Sequence, residues 1–350
     1  MSTTDNRNGF VDFVKFVMAL LIMWGHYDYI IGQEFESVSI TKTLTEFAHE
    51  NVTVIVCIFF FISGFFAWQF SYRKLSDGKT TIGPFVIKKI KRLYPLMAVS
   101  VVWFCAAELI YRGAYGHFWA GREVNLSNAI LTALGINRWV STAGGDINGP
   151  IWYVSVLMLC YIVFGIIAAF KLSDEYKTII FAGMVVLGII SQLNELTFPL
   201  VADKVGRGYM CFFLGVCFAI LFKAYPKYKN FWAAILAIVI YAIAITAKEN
   251  YRLDLLGNKN IAAIFTLAPA FIVLGENGVF KKVFNNSLCE WLGRISYPMF
   301  LFHIPTYLTI GLFLRDGINY NSYLTIIIIT LFVGAISFAA EKLQEMSNKR

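Results

Sequence analysis

The chain has 350 residues, of which 58% are hydrophobic and 15% charged, with a mean hydropathy of +0.64 and a formal charge of +8. Soluble domains carry roughly a quarter charged residues, whereas here the apolar residues come in blocks of about 17–23, long enough to cross a hydrocarbon core as helices. That excludes a soluble enzyme, a disordered chain and a disulfide-stapled secreted domain, and it excludes a nucleic-acid partner because the basic residues sit between apolar blocks rather than on one face of a soluble domain.

The pattern predicts an all-α integral membrane protein, a bundle of about ten transmembrane helices. They are placed at roughly 9–31, 49–70, 93–112, 150–170, 178–194, 207–222, 230–247, 260–275, 292–314 and 321–341. The first block holds Lys15, His26 and Asp28, and no small-x-small cleavage site follows a basic lead, so it reads as a retained helix and not a signal peptide. Ten spans put both termini on one side. The segments on that side carry 19 basic residues against 8 acids, and the opposite segments carry 10 against 12. Lys and Arg accumulate in cytoplasmic loops, so both termini are expected in the cytoplasm of a cell carrying this protein in its inner or plasma membrane. The region 1–350 reads as a single domain without repeats, and its longest polar insert, about 113–149, falls outside the cell. That insert contains Tyr115, His117, Trp119, Trp139 and the run Gly144–Pro150, where an acceptor can be held. The cysteines Cys57, Cys105, Cys160, Cys211, Cys217 and Cys289 form no C-x-x-C pair and read as small packing residues.

Ionisable groups inside a span cost about 2.5–3.5 kcal/mol each and mark function by default. In the first block, Lys15 and His26 are 11 residues apart, within about 20° of three full turns and roughly 16 Å along the axis; Asp12 lies on the same stripe, with Ala19 and Ile22 between. Such a stripe faces the bundle interior. Asp12 and Lys15 can equally form a local i, i+3 pair with Lys15 snorkelling. His26 can serve as a base near neutral pH. The second block ends Phe59-Phe60-Phe61-Ile62-Ser63-Gly64-Phe65-Phe66, where the small step suits close helix packing. Lys88, Lys89, Lys91 and Arg92 precede the third helix, either as a positive-inside anchor or as a seat for a phosphorylated ligand. The fourth opens with Trp152 and Ser155. The ninth carries Ser296 and Tyr297 just before Pro298, and His303 between Pro298 and Pro305, prolines that free backbone groups in mid-membrane. Ser296 and His303 share a face, and His303 can alternatively satisfy a helix carbonyl. No metal site is predicted, since His26, His49, His117 and His303 have no paired ligand spacing.

In this order the blocks resemble the acyltransferase-3 family of bacterial membrane O-acyltransferases. The family's Asp-x-x-Arg with a later histidine corresponds to Asp12, Lys15 and His26. Its Phe-Phe-x-x-Ser-Gly corresponds, shifted by one hydrophobic residue, to Phe60–Gly64, its basic run before Leu-Tyr-Pro to Lys88–Pro95, its Trp-x-x-Ser…Tyr to Trp152, Ser155 and Tyr161, and its Ile-Ser-Tyr-x-x-Tyr/Phe-Leu-x-His-x-Pro to Ile295–Pro305. Two departures stand out: Lys15 replaces the usual arginine, and Leu157 replaces a glutamate that many members carry. The resemblance implies transfer of an acyl group, acetyl foremost, from cytoplasmic acyl-CoA to a hydroxyl of a cell-surface or exported carbohydrate, free or lipid-linked, without a metal. His26 would be the catalytic base with Asp12 and Lys15 lining its approach. Lys88, Lys89, Lys91 and Arg92 would hold the phosphates of coenzyme A, and Trp152, Ser155, Ser296, Tyr297 and His303 would line the substrate wall. Buried charges and proline-broken helices also suit a proton-coupled transporter of a small polar solute, which the block order argues against.

Overall fold

A computed structural model describes residues 8–27, 40–119, 124–140, 147–225, 230–250, 259–314 and 322–348. Every regular element among them is helical. In chain order these are α1 (Gly9–Gly25), α2 (Ile40–Ala67) continued by a π-turn (Trp68–Tyr72), α3 (Arg73–Ser76), α4 (Ile82–Tyr115), α5 (Leu126–Ala133), α6 (Asn137–Val140), α7 (Ile151–Ala169), α8 (Asp174–Leu193), α9 (Asp203–Ala224), α10 (Phe231–Asn250), α11 (Lys259–Phe265), α12 (Leu267–Glu276), α13 (Gly278–Phe284), α14 (Ser287–Leu314) and α15 (Tyr323–Asn348).

The described parts of the ten apolar blocks are helical, with 260–275 split between α11 and α12. Among the described residues, six helices are long and apolar enough to cross a membrane: Leu44–Ser76, Ile82–Tyr115, Ile151–Ala169, Asp174–Leu193, Asp203–Ala224 and Tyr323–Met346. A bent pair, Ala262–Glu276 with Gly278–Phe284, turns through 80°. The extents differ from the expectation in two places that matter for the site. First, α1 stops at Gly25, so His26 stands just past the helix end, and 28–31 lie outside the described residues. Second, α4 begins at Ile82 and runs for 34 residues, so the basic run Lys88–Arg92 lies inside the helix and not ahead of it.

The fold divides into two compact units. One comprises the described residues of Met1–Val14, Thr53–Lys89 and Val156–Trp291. Its helices pack closely because glycines meet backbone: a Cβ on Gly64 would overlap the Phe212 carbonyl, and one on Gly215 would overlap the Phe61 carbonyl. The small step of the Ser63-Gly64 block is thus a packing device between α2 and α9. Phe60, Phe61, Phe164, Phe181, Phe212 and Phe213 are fully buried around this contact. Phe10 of α1 packs edge-on against Phe280 and Phe284 of α13, with centroids 4.7 and 5.0 Å away.

The other unit comprises the described residues of Lys15–Val52, Ile90–Ser155 and Leu292–Arg350. Hydrogen bonds across its helices involve polar tips on apolar bodies. Trp24 Nε1 donates to Thr330 Oγ1 of α15 at 3.0 Å, and Trp103 Nε1 of α4 donates to Thr309 Oγ1 of α14 at 3.0 Å. Arg294 Nε of α14 pairs with Glu341 Oε1 of α15 at 2.8 Å. Pro95 removes a backbone donor inside α4. The carbonyl it deprives is that of Lys91; those of the next two residues, Arg92 and Leu93, accept from Gln344 Nε2 and the Tyr297 hydroxyl, each at 2.7 Å. The cysteines are free, four of them buried, as packing residues should be.

Candidate active site

The second unit brings two histidines together. The end of α1 is fixed first. A Cβ on Gly25 would lie 2.9 Å from the Ala48 backbone, so only glycine lets α2 approach there. The Gly25 carbonyl, which has no intrahelical donor at a helix terminus, accepts from His49 Nδ1 at 2.8 Å. The Met23 carbonyl accepts from the His26 backbone N–H at 3.2 Å and from the Tyr307 hydroxyl of α14 at 2.7 Å. His26, half-buried, is therefore held from both sides of its own turn.

The facing helix is broken in a controlled way. Pro305 has no N–H to give the Leu301 carbonyl one turn earlier. Asn148 Nδ2, from the segment before α7, supplies that hydrogen bond at 3.1 Å and touches Ser100 Oγ of α4 at 3.3 Å. His303 lies between Leu301 and Pro305, with no exposure to solvent. Its Nδ1 is 3.2 Å from the Met299 carbonyl and its Nε2 is 3.2 Å from His26 Nδ1. The two rings lie nearly parallel, 21° apart with centroids at 5.2 Å. Phe300 and Tyr307 flank His303, with centroids 6.4 and 5.7 Å away. An imidazole pair of this kind, half of it enclosed and half partly open, can take up and return a proton beside a reacting group.

The remaining predicted residues fall as follows. Asp12 is in the first turn of α1, 5% exposed, with Lys15 one turn further and half-buried. Ala19 and Ile22 on the same stripe are fully buried, so this face of α1 points inward. Lys88, Lys91 and Arg92 are exposed on one face of α4. Lys89 turns the other way, its Nζ 4.2 Å from the Tyr161 ring centre and 5.4 Å from that of Phe85. Trp152 is half-buried. Ser155 is fully buried, its hydroxyl 3.4 Å from the Arg138 N–H and its carbonyl accepting from Trp139 Nε1 at 2.8 Å. The Ser296 hydroxyl donates to the Gly293 carbonyl at 2.8 Å, and the Tyr297 hydroxyl goes to Leu93. The structure thus joins His26 to His303, while Ser155, Ser296 and Tyr297 spend hydrogen bonds on backbone. Among the described residues no group of three His, Cys, Asp or Glu is arranged to hold a metal ion.

Sequence reasoning missed Asn148 and Tyr307, which position the pair. Pro305 announces a carbonyl in need of a donor, but nothing local says that the donor is 153 residues earlier.

A family model described as an acyltransferase domain matches residues 8–340, nearly the whole chain. No curated protein and no solved structure matches it.

Proposed function

The chain belongs to the acyltransferase-3 family and is an acyltransferase of the membrane, and from that premise we propose that it moves an acyl group, acetyl foremost, from cytoplasmic acyl-CoA to a hydroxyl of a cell-surface or exported carbohydrate, free or lipid-linked. Membership of an acyltransferase family decides against the transporter reading. The proposal includes a single catalytic domain of ten spans in the inner or plasma membrane, with both termini cytoplasmic.

The observation that supports this reading most is the 3.2 Å contact between His26 and His303. Acyl transfer from a thioester to a hydroxyl needs one group that removes a proton from the attacking oxygen and returns it to the leaving sulfur. A neutral imidazole does both near neutral pH. In the proposed reaction the acceptor oxygen bonds to the thioester carbonyl carbon as His26 takes its proton, the C–S bond breaks, and the thiolate regains that proton. Transfer is direct, with no acyl-histidine. Asp12 and Lys15, on the inward face of α1, keep the approach polar. Lys88, Lys91 and Arg92 meet the phosphates of the donor as charge-assisted partners, with Lys89 held beside them on the aromatic rings of Phe85 and Tyr161. Trp152, Ser155, Ser296 and Tyr297 line the acceptor side.

The test uses membrane vesicles containing the full chain and labelled acetyl-CoA, with carbohydrate analysed for covalent label. The unsubstituted protein should transfer label, and His26→Ala should not, although it inserts and folds. Transfer by the His26→Ala protein would refute the assignment.

A further inference from the structure

We infer that His303 is a positioning residue that fixes the tautomer of His26, so that Nε2 of His26 is the nitrogen that receives the acceptor's proton. The inference rests on the reading of His26 as the base.

The chain of bonds begins at a carbonyl. The Met299 oxygen can only accept, so Nδ1 of His303, 3.2 Å away, carries a proton. A neutral imidazole has one N–H, which leaves Nε2 of His303 with a lone pair. That nitrogen lies 3.2 Å from Nδ1 of His26. Two lone pairs do not face each other at that separation, so the proton between them belongs to Nδ1 of His26. Neutral His26 must then keep its lone pair on Nε2. In water the opposite tautomer, protonated on Nε2, is the more populated, so the arrangement holds His26 in the form that it would otherwise visit less.

The fixity comes from the surroundings. His303 is fully enclosed, and Pro305 and Asn148 set the backbone turn on which it sits. Tyr307, one turn beyond His303 on α14, ties its hydroxyl to the Met23 carbonyl just before His26. The same logic operates wherever a third group orients a catalytic imidazole through its second nitrogen. During the reaction the acceptor hydroxyl gives its proton to Nε2 of His26 while its oxygen bonds to the acyl carbon. The C–S bond then breaks and the thiolate takes the proton back from Nε2. Nδ1–H of His26 stays on the His303 acceptor throughout and steadies the transient imidazolium.

The test reads the tautomer directly. Nitrogen-15 NMR of the full chain in lipid nanodiscs, with labelled histidine and His26 assigned by its disappearance in His26→Ala, should show Nδ1 protonated and Nε2 bare. Kinetics gives a second reading. His303→Leu should lower kcat by roughly 10–10³-fold with either KM changed less than about twofold, and His303→Gln, whose carboxamide oxygen can accept from Nδ1, should recover about tenfold. A proton found on Nε2 of His26 in the unsubstituted chain overturns the inference whatever the variants do. So does a glutamine variant no faster than the leucine one. If His26→Ala stays active, the reading of His26 as base has failed. If it is inactive and His26 nonetheless carries its proton on Nε2, that reading stands and this inference alone falls.

Discussion

Asn148 and Pro305 should be energetically coupled through a carbonyl that belongs to neither. Pro305 deprives the Leu301 oxygen of its helical donor, and Asn148 Nδ2 replaces that donor at 3.1 Å in a place closed to solvent. Asn148→Leu keeps much of the side-chain volume but leaves the carbonyl unsatisfied, at about 1–3 kcal/mol. Two further changes accompany it. The 3.3 Å contact with Ser100 Oγ is lost, worth less than about 1 kcal/mol. The Asn148 carboxamide oxygen, buried and without a hydrogen-bond partner among the described residues, is removed, which returns about 1–3 kcal/mol. The single substitution can therefore sum to nearly nothing, and only a double-mutant cycle isolates the carbonyl. Pro305→Ala restores an N–H at 305, so Asn148→Leu in that background deprives Leu301 of nothing that it needs. The Ser100 and carboxamide-oxygen contributions are common to both arms and cancel. What remains is a coupling of about 1–3 kcal/mol between positions 148 and 305. The measurement is reversible unfolding of the four proteins in mixed micelles, followed by tryptophan fluorescence. A coupling below about 0.3 kcal/mol, the usual error of additivity, would refute the account of how α14 tolerates its break.

The other predictions follow from the same structure. Gly64→Ala sets a methyl on the Phe212 carbonyl, a backbone clash that no rotamer relieves, and should cost at least about 3 kcal/mol in the same assay. Gly183→Ala in α8 meets nothing within 4 Å and should stabilise by about 0.5–1 kcal/mol through helix propensity; equal effects at the two glycines would contradict the packing described. Glu341→Leu removes the 2.8 Å partner of Arg294 Nε and leaves it the 3.7 Å contact with Glu345, and should cost about 1–2 kcal/mol because the pair is only partly buried. Adding Arg294→Met should recover most of that loss. Lys88→Ala, Lys91→Ala and Arg92→Ala together should raise the KM for acetyl-CoA several-fold and leave the melting temperature unchanged. Lys89→Met should instead lower stability by about 1–2 kcal/mol, through the lost ring contact; the reverse pattern in titration and melting curves would exchange their roles.

Much of the helical framework was legible because apolar runs are local. Hydropathy finds the stretch that a bilayer can hold, and the described parts of those stretches are helical. It does not find where a helix ends. Lys and Arg are good helix formers, so nothing in Lys88–Arg92 stops α4, and the helix continues back to Ile82. The opposite difference occurs at α1, which stops at Gly25, the residue where α2 comes too close for a Cβ, a contact visible only in three dimensions.

The candidate site was legible one residue at a time. His26 and His303 each stood out as costly groups inside apolar blocks, yet their pairing spans 277 residues and leaves no mark on either block. Ser296 and Tyr297 stood out for the same reason, and their hydroxyls donate to the carbonyls of Gly293 and Leu93. Where water is excluded, each proline break creates an acceptor that some polar side chain must reach. Pro95, Pro298 and Pro305 can be counted in the sequence, so the carbonyls they deprive, those of Lys91, Arg294 and Leu301, are readable even when their donors are not. A polar residue near such a break is thus ambiguous between repair and chemistry. An imidazole differs from a hydroxyl or an amide here, because one ring nitrogen can bond a carbonyl while the other remains available. His303 does this with Met299 on one side and His26 on the other. Histidine is therefore the residue that can satisfy a helix carbonyl and serve chemistry in one side chain, while the break at Pro305 itself is repaired by Asn148.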